Sequence, residues 1–183
     1  MSAPDRRVRR TRDALHEALI GLMMERPYDR ITVSDVIDRA NIGRSTFYAH
    51  YRDKDDLLVV SCAEFLRTEI GRRAGRGLWA PVRVMLVLAA GHPDVYRALI
   101  GPKSSATALR GYRQSIATIL REHLAEQPQP WVDDLTVTSL SWALVGLLGA
   151  VTDRTDPVPP ETAWRHFQQM CAHLPPPGGT RSR

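Results

Sequence analysis

Between residues 40 and 58 the chain reads ANIGRSTFYAHYRDKDDLL, a run that carries Arg44, Ser45, Thr46, Tyr48, His50 and Lys54. A guanidinium fork, two short hydroxyls, a phenol, an imidazole and an ammonium can all donate hydrogen bonds. Donors at this density suit an acceptor-rich, anionic surface. Catalysis would need a further constellation. The sequence has no glycine-rich phosphate loop, no serine in a nucleophile elbow and no His-Glu-x-x-His pair. His92-Pro93-Asp94 reads as a helix start, so no enzyme activity and no cofactor are expected.

The neighbouring residues would aim these donors. Thr32-Val33-Ser34-Asp35 has the outline of a capping box, in which Thr32 accepts from the third helical N–H while Asp35 reaches back. The helix it opens has an apolar stripe of Val33, Val36, Ile37 and Ala40. Asn41 can close it in the left-handed conformation, Ile42 can plug the corner and Gly43 can begin the next helix. That next helix, over about 44–50, buries Phe47 and Tyr51 at i, i+4 and turns Arg44, Ser45, Tyr48 and Ala49 outward. Asp53 and Asp56 then open a long fourth helix containing Leu57, Leu58, Val60, Ser61 and Phe65. Upstream, Leu15, Ala18, Leu19, Leu22 and Met23 give a first helix over about 8–25, stopped at Arg26-Pro27. Two short helices joined by a tight turn and braced by another form a helix-turn-helix, whose second helix enters the major groove of a duplex. In that setting Arg44 matches guanine O6 and N7, and Ser45 and Thr46 allow close approach. Tyr48, His50 and Lys54 suit phosphate oxygens, and Thr32 with the N–H groups at its helix start could hold another phosphate.

Charge placement supports a nucleic-acid partner. The 183 residues carry +5 overall, but the first twelve, with Arg6, Arg7, Arg9, Arg10 and Arg12, hold +4. Arg181 and Arg183 add +2 and the intervening body sums to −1. Counterion release from phosphates rewards such clustering, which brings Arg9 and Arg10 into the candidate DNA-binding set.

At this point residues 10–60 resemble the DNA-binding head of the TetR family of bacterial transcriptional regulators. The matching elements are Ile31-Thr32-Val33, Ala40-Asn41-Ile42-Gly43, Thr46-Phe47-Tyr48, His50-Tyr51 and Lys54-Asp55-Asp56-Leu57. Two positions depart from the pattern: Asn41 stands where the family usually has Gly, and Gly43 where it usually has Ser or Thr. Glycine can cap a helix but has no hydroxyl to give a phosphate.

The rest of the chain shows helical periodicity without useful strand alternation, which makes the fold all-α. Helices are expected near 79–91, 93–101, 104–126, 131–152 and 160–173. Their boundaries are Gly75-Arg76-Gly77, Pro81, Pro93, Pro102, Pro128-Gln129-Pro130 and Pro157-Val158-Pro159-Pro160. The division expected is a head over 1–54 with a basic arm, a helical ligand-binding and dimerisation body over 55–174, and a disordered tail over 175–183. The apolar window 135–151 falls short of a bilayer span and contains hydroxyls, so it reads as a buried helix with no membrane role. Two distant cysteines, Cys62 and Cys171, suit a reducing, cytoplasmic setting.

The resemblance implies further partners: double-stranded operator DNA, a small-molecule effector and a second copy of the chain, with repression by promoter occupancy. It implies that the last two long helices form the dimer seam, for which Ala143, Gly146, Leu147, Ala150, Trp164, Phe167, Met170 and Cys171 are the candidates. It also implies an effector pocket, with Phe65, Trp79, Met85, Tyr112, Ile116 and Trp142 as candidate liners. Two alternatives remain at this stage. One is a module of the same fold without DNA binding, favoured by Gly43 and the acidic run at 53–56. The other is a metal sensor using Cys171-Ala172-His173, although two ligands without partners do not make a metal site.

Overall fold

The structure, a computed structural model, describes residues 3–75, 77–126 and 132–172. Among them the regular elements are helices: α1 Ala3–Glu25, α2 Val33–Ala40, α3 Arg44–His50, α4 Lys54–Arg73, α5 Ala80–Gly91, α6 Pro93–Ile100, α7 Ala106–Ala125, α8 Asp134–Val151 and α9 Pro160–Ala172. A 3-10 turn, Tyr28–Arg30, links α1 to α2. The expected tail at 175–183, the Pro128-Gln129-Pro130 boundary, Arg76, Trp131 and His173 lie outside the described residues.

Local chemistry fixes the head as the sequence predicts. Thr32 Oγ1 accepts from Asp35 N at 3.2 Å while Asp35 Oδ2 accepts from Thr32 N at 2.8 Å, completing the capping box. Asn41 adopts φ 52° and ψ 49°. Ile42 N–H then reaches back to the Ile37 carbonyl at 3.0 Å, closing α2 with a six-to-one turn. Asp53 caps α4 by accepting from Asp56 N at 2.8 Å. Leu15, Leu19, Ile31, Val36, Phe47, Tyr51, Leu57 and Leu58 meet in the buried core of this end.

Three features differ from the sequence expectation. First, α1 begins at Ala3, so the basic arm is the opening of a helix. Arginine is a good helix former and proline is tolerated in a first turn, so nothing in that stretch interrupts the helix. Second, Arg12 is not available as part of a free arm. Its Nε donates to Tyr51 Oη at 3.3 Å and its Nη2 to Glu64, joining α1 to α3 and α4. Third, α8 is buried on one face only: Leu140, Leu144, Leu148 and Val151 are buried, whereas Leu135, Trp142 and Gly146 are exposed. By length and composition α8 could cross a membrane, yet its buried face packs on α5, α6 and α7.

The helix α4 joins the two ends, packing on α1 and also on α5, α6 and α7. At its first turn Lys54 Nζ donates to the carbonyls of Tyr28 and Ile31 at 2.9 and 2.7 Å, and lies 4.3 Å from the Tyr28 ring centroid. Next to it, Asp55 accepts from Tyr28 Oη and from Ser105 Oγ, each at 2.5 Å. Ser105 is the N-cap of α7, where its hydroxyl oxygen also accepts from Ala108 N at 2.9 Å. One carboxylate thus joins the turn before α2, the start of α4 and the start of α7.

Candidate nucleic-acid interface

The outward face of α3 follows from its two anchors. Phe47 is 0% and Tyr51 4% exposed, with ring centroids 6.0 Å apart. A helix of seven residues held by this pair must present the opposite side to solvent. Arg44, Ser45, Thr46, Tyr48 and Ala49 are accordingly exposed. Tyr48 keeps half its surface open while its ring stands edge-on to Phe47 at 5.3 Å, so the phenol is both presented and braced. Arg44 Nη2 donates to Ser34 Oγ at 2.8 Å, an interaction with α2 that holds the guanidinium beside that helix's first turn. Ser34 had no signal of its own in the sequence. His50 is half-buried in the last turn of α3, its ring 6.3 Å from that of Tyr51. Arg10 is exposed on α1, and Arg9 is exposed there as well.

Two of the residues matched to phosphate have other duties. The Thr32 hydroxyl donates to Asp35 Oδ2 at 2.7 Å as well as capping α2, so it is spoken for within the box. Asp35 is held below the usual carboxylate range by the Thr32 backbone N–H, then by its hydroxyl and by Arg26, which keeps the box ionised. What α2 offers an anion is its first N–H groups, at Val33 and Ser34, which have no acceptor inside a helix. Lys54 uses two of its three protons on the carbonyls of Tyr28 and Ile31, and burial lowers its pKa. It is a strut under α2 before it is a phosphate ligand.

The residues assigned to an effector pocket do not form one lining. Met85, Tyr112 and Ile116 are fully buried in the core. Trp79 packs edge-on to Phe167 at 5.5 Å. Phe65 is 42% exposed in an open groove between α1 and α4, and Trp142 is 48% exposed under the Arg113 guanidinium, 5.2 Å away. Both rings lie on helix faces that the described chain leaves partly open, a placement that the sequence pattern alone does not give. Among the seam candidates, Gly146 and Met170 are exposed and Ala143, Leu147, Ala150, Trp164 and Cys171 half-buried, but Phe167 is fully buried, stacked on Trp164 at 6.0 Å. Phe167 therefore belongs to the intrachain core. Burial raises the Cys171 thiol to about 11, and no group of three potential metal ligands occurs among the described residues.

Comparison with known proteins places this geometry. Residues 15–60 match the family profile described as bacterial regulatory proteins, tetR family. Over 67 residues the chain is 46% identical to the uncharacterized HTH-type transcriptional regulator YxbF of Bacillus subtilis (strain 168), covering 34% of this chain and 18% of that protein. It thus spans less than a fifth of that relative's length. Across 91% of this chain and 96% of the other, it is similar to the crystal structure of a TetR transcriptional regulator from Streptococcus agalactiae 2603V, with 26% identity and a TM-score of 0.59. Residues 15–60 of this chain are thus a head of the tetR type. A TetR transcriptional regulator from Rhodococcus sp. RHA1 shares the fold at a TM-score of 0.64 with 16% identity, over 90% of this chain and 94% of that one.

Within this TetR-type head, Gly43 is the informative departure. It caps α3 with no side-chain hydrogen bond, and a Cβ added there would meet only Thr46 Oγ1 within 4 Å, at 3.9 Å. The Gly43→Ser variant is therefore expected to fit, to stabilise the head by a few tenths of a kcal/mol, and to tighten DNA binding through one added hydroxyl. The salt dependence should stay the same because no charge is added. Melting temperature and affinity at several salt concentrations check this. Unchanged affinity in the variant would mean that the start of α3 does not approach the DNA backbone.

Proposed function

We propose that this protein is a sequence-specific, DNA-binding transcriptional regulator that acts in the cytoplasm as a homodimer, occupies a promoter as a repressor and leaves it when a small molecule binds the body. The observation that carries the reading is the orientation of α3, with Phe47 and Tyr51 inside and Arg44, Ser45, Thr46 and Tyr48 outside. In this reading residues 1–54 form the DNA-binding head and the helices after it the effector and dimerisation body. Arg44 reads a base edge, and Ser45 and Thr46 let α3 sit close. Tyr48, His50, Arg9, Arg10 and the N–H groups that follow Thr32 hold phosphates. Lys54 sets the angle of α2 and has one proton left for the backbone.

The dimer seam is best drawn on the open face of α8, where Leu135, Trp142 and Gly146 follow helical spacing, extended by Met170 on α9. An apolar stripe left open on a soluble fold favours a second copy that can cover it. Trp142 fits this seam better than the pocket to which its type first assigned it. Ala143, Leu147 and Ala150 flank the stripe and are half-buried already.

Selection of bound oligonucleotides followed by gel-shift titration tests the reading. The parent should bind a two-fold site, with affinity falling steeply as salt rises. Arg44→Ala should lose about 1–3 kcal/mol and relax preference at one base position in each half-site. Tyr48→Phe should weaken all sequences alike. If both variants bind as tightly and as selectively as the parent, α3 is not the reading helix. A chain that selects no sequence would be a module of this fold without DNA binding.

A further inference from the structure

Arg44 is held differently from the arginines around it. Arg26 pairs with Asp35 at 2.9 Å, Arg52 with Asp56 at 3.0 Å, and Arg39 with Glu25. Each of those charges is neutralised where it stands. Arg44 makes no ion pair among the described residues, and its Nη2 donates instead to the hydroxyl oxygen of Ser34 at 2.8 Å. The bond spans the turn between the two short helices, because Ser34 is the second residue of α2 and Arg44 the first of α3.

The choice of acceptor decides what Arg44 can still do. A neutral hydroxyl leaves the guanidinium its full charge and four of its five N–H groups, yet it fixes a direction. An arginine side chain is rich in rotamers, and an unrestrained one loses that freedom when it docks on a base. A carboxylate in the place of Ser34 would hold the side chain too, but it would cancel the charge and oppose a phosphate backbone. The carboxylate next along α2 is kept from that role. Asp35 accepts from the Thr32 N–H and hydroxyl and pairs with Arg26. The capping box thus leaves Ser34 as the acceptor that Arg44 meets on α2.

Resting on the reading of α3 above, we propose that Ser34 is the positioning residue for Arg44: its hydroxyl oxygen sets the direction from which the guanidinium meets a base edge, so that part of the sequence choice is made by α2. The hydroxyl has two ends. Its oxygen accepts from Arg44, while its proton remains to be given to an acceptor outside the protein, which in the complex is a phosphate oxygen at the start of α2. Ser34 then ties the register on the backbone to the base that Arg44 reads. Without that oxygen Arg44 keeps its charge and loses its direction. Attraction to DNA persists and discrimination falls.

The test uses the full chain and the DNA fragment chosen by oligonucleotide selection. Gel-shift titrations compare that fragment with three others that change one base, at the position whose preference Arg44→Ala relaxes. Ser34→Ala should melt as the parent does, bind with the parent's salt dependence, and discriminate at that position about fivefold less. Ser34→Thr should restore the parent's ratio. Ser34→Val, which has the shape of threonine without the hydroxyl, should match Ser34→Ala. In an Arg44→Ala background none of these substitutions should alter preference at that position, because no guanidinium is left to direct. An unchanged ratio in Ser34→Ala or Ser34→Val, a ratio that Ser34→Thr leaves reduced, or the same loss with and without Arg44 overturns the proposal. The Ala and Val variants are each sufficient, so if one fails to fold the other decides. A parent that selects no sequence, or an Arg44→Ala that keeps every preference, defeats the reading of α3 and this role with it. If Arg44→Ala relaxes a base and Ser34→Ala does not, the reading stands and only the role of Ser34 falls.

Discussion

Phe47→Ala is expected to unfold the DNA-facing head and abolish operator binding. The ring is fully buried and holds α3 from the inside, in contact with the rings of Tyr48 and Tyr51. Truncating a buried phenylalanine costs about 3–5 kcal/mol, part from lost transfer energy and part from the cavity left behind. The head has few ways to compensate, because α3 is only seven residues long and packs chiefly on α2. Short helices of this kind have almost no stability apart from their tertiary contacts. Circular dichroism during heating should show an early, partial loss of helix followed by the main transition of the body. DNA affinity should already be lost below the first step. A variant that keeps the parent's melting curve and DNA affinity would show that α3 does not depend on this anchor.

The second large effect is expected at Asp55. Asp55→Ala removes the acceptor of both Tyr28 Oη and Ser105 Oγ. Tyr28 is half-buried, and burial followed by the bond to Asp55 holds its phenol well above its ordinary pKa, so it remains a donor that now lacks its acceptor. Hydrogen bonds to a charged group are worth about 1.5–3 kcal/mol each, and the partial exposure of this node puts the combined cost near 2–3 kcal/mol. Ser105 should go on capping α7 through Ala108 N, so the body should stay folded. The expected outcome is weaker DNA binding together with a loss of communication: an effector should still bind the body but alter DNA affinity less. Asp55→Asn, which can still accept at one oxygen, should fall between the two. Measuring effector affinity with and without DNA gives the coupling directly, since the two ligands must affect each other equally. If Asp55→Ala leaves that ratio unchanged, the node does not carry the signal.

The head was legible from sequence because short-range chemistry writes it. Thr32 and Asp35 are three residues apart, Phe47 and Tyr51 four, and Asn41 closes α2 within its own turn. Capping boxes, left-handed stops and i, i+4 anchors need no distant partner, so their residues specify them wherever they occur. The outward face of α3 follows by subtraction once its inward face is known. The body was legible only as helices. Its apolar residues show that a helix buries something, but not which face goes inward or which face is left for a partner.

Residues whose surroundings depend on a long-range contact were therefore the ones whose exposure the sequence did not foretell. Trp142 and Phe65 have the types of pocket liners and stand at the surface, whereas Phe167 has the type of a seam residue and lies in the core. Lys54 looks free beside three aspartates until the carbonyls of Tyr28 and Ile31 are brought over it. Ser105 and Asp55 are fifty positions apart, and nothing in either segment announces their bond. By itself the sequence determined an all-helical chain, a basic start, and a short helix that turns its donors outward, because each depends on spacing along one stretch of backbone. Only the tertiary structure decided which charges are already committed and which apolar face of α8 stays open, because those outcomes depend on helices meeting at distances that no local pattern encodes.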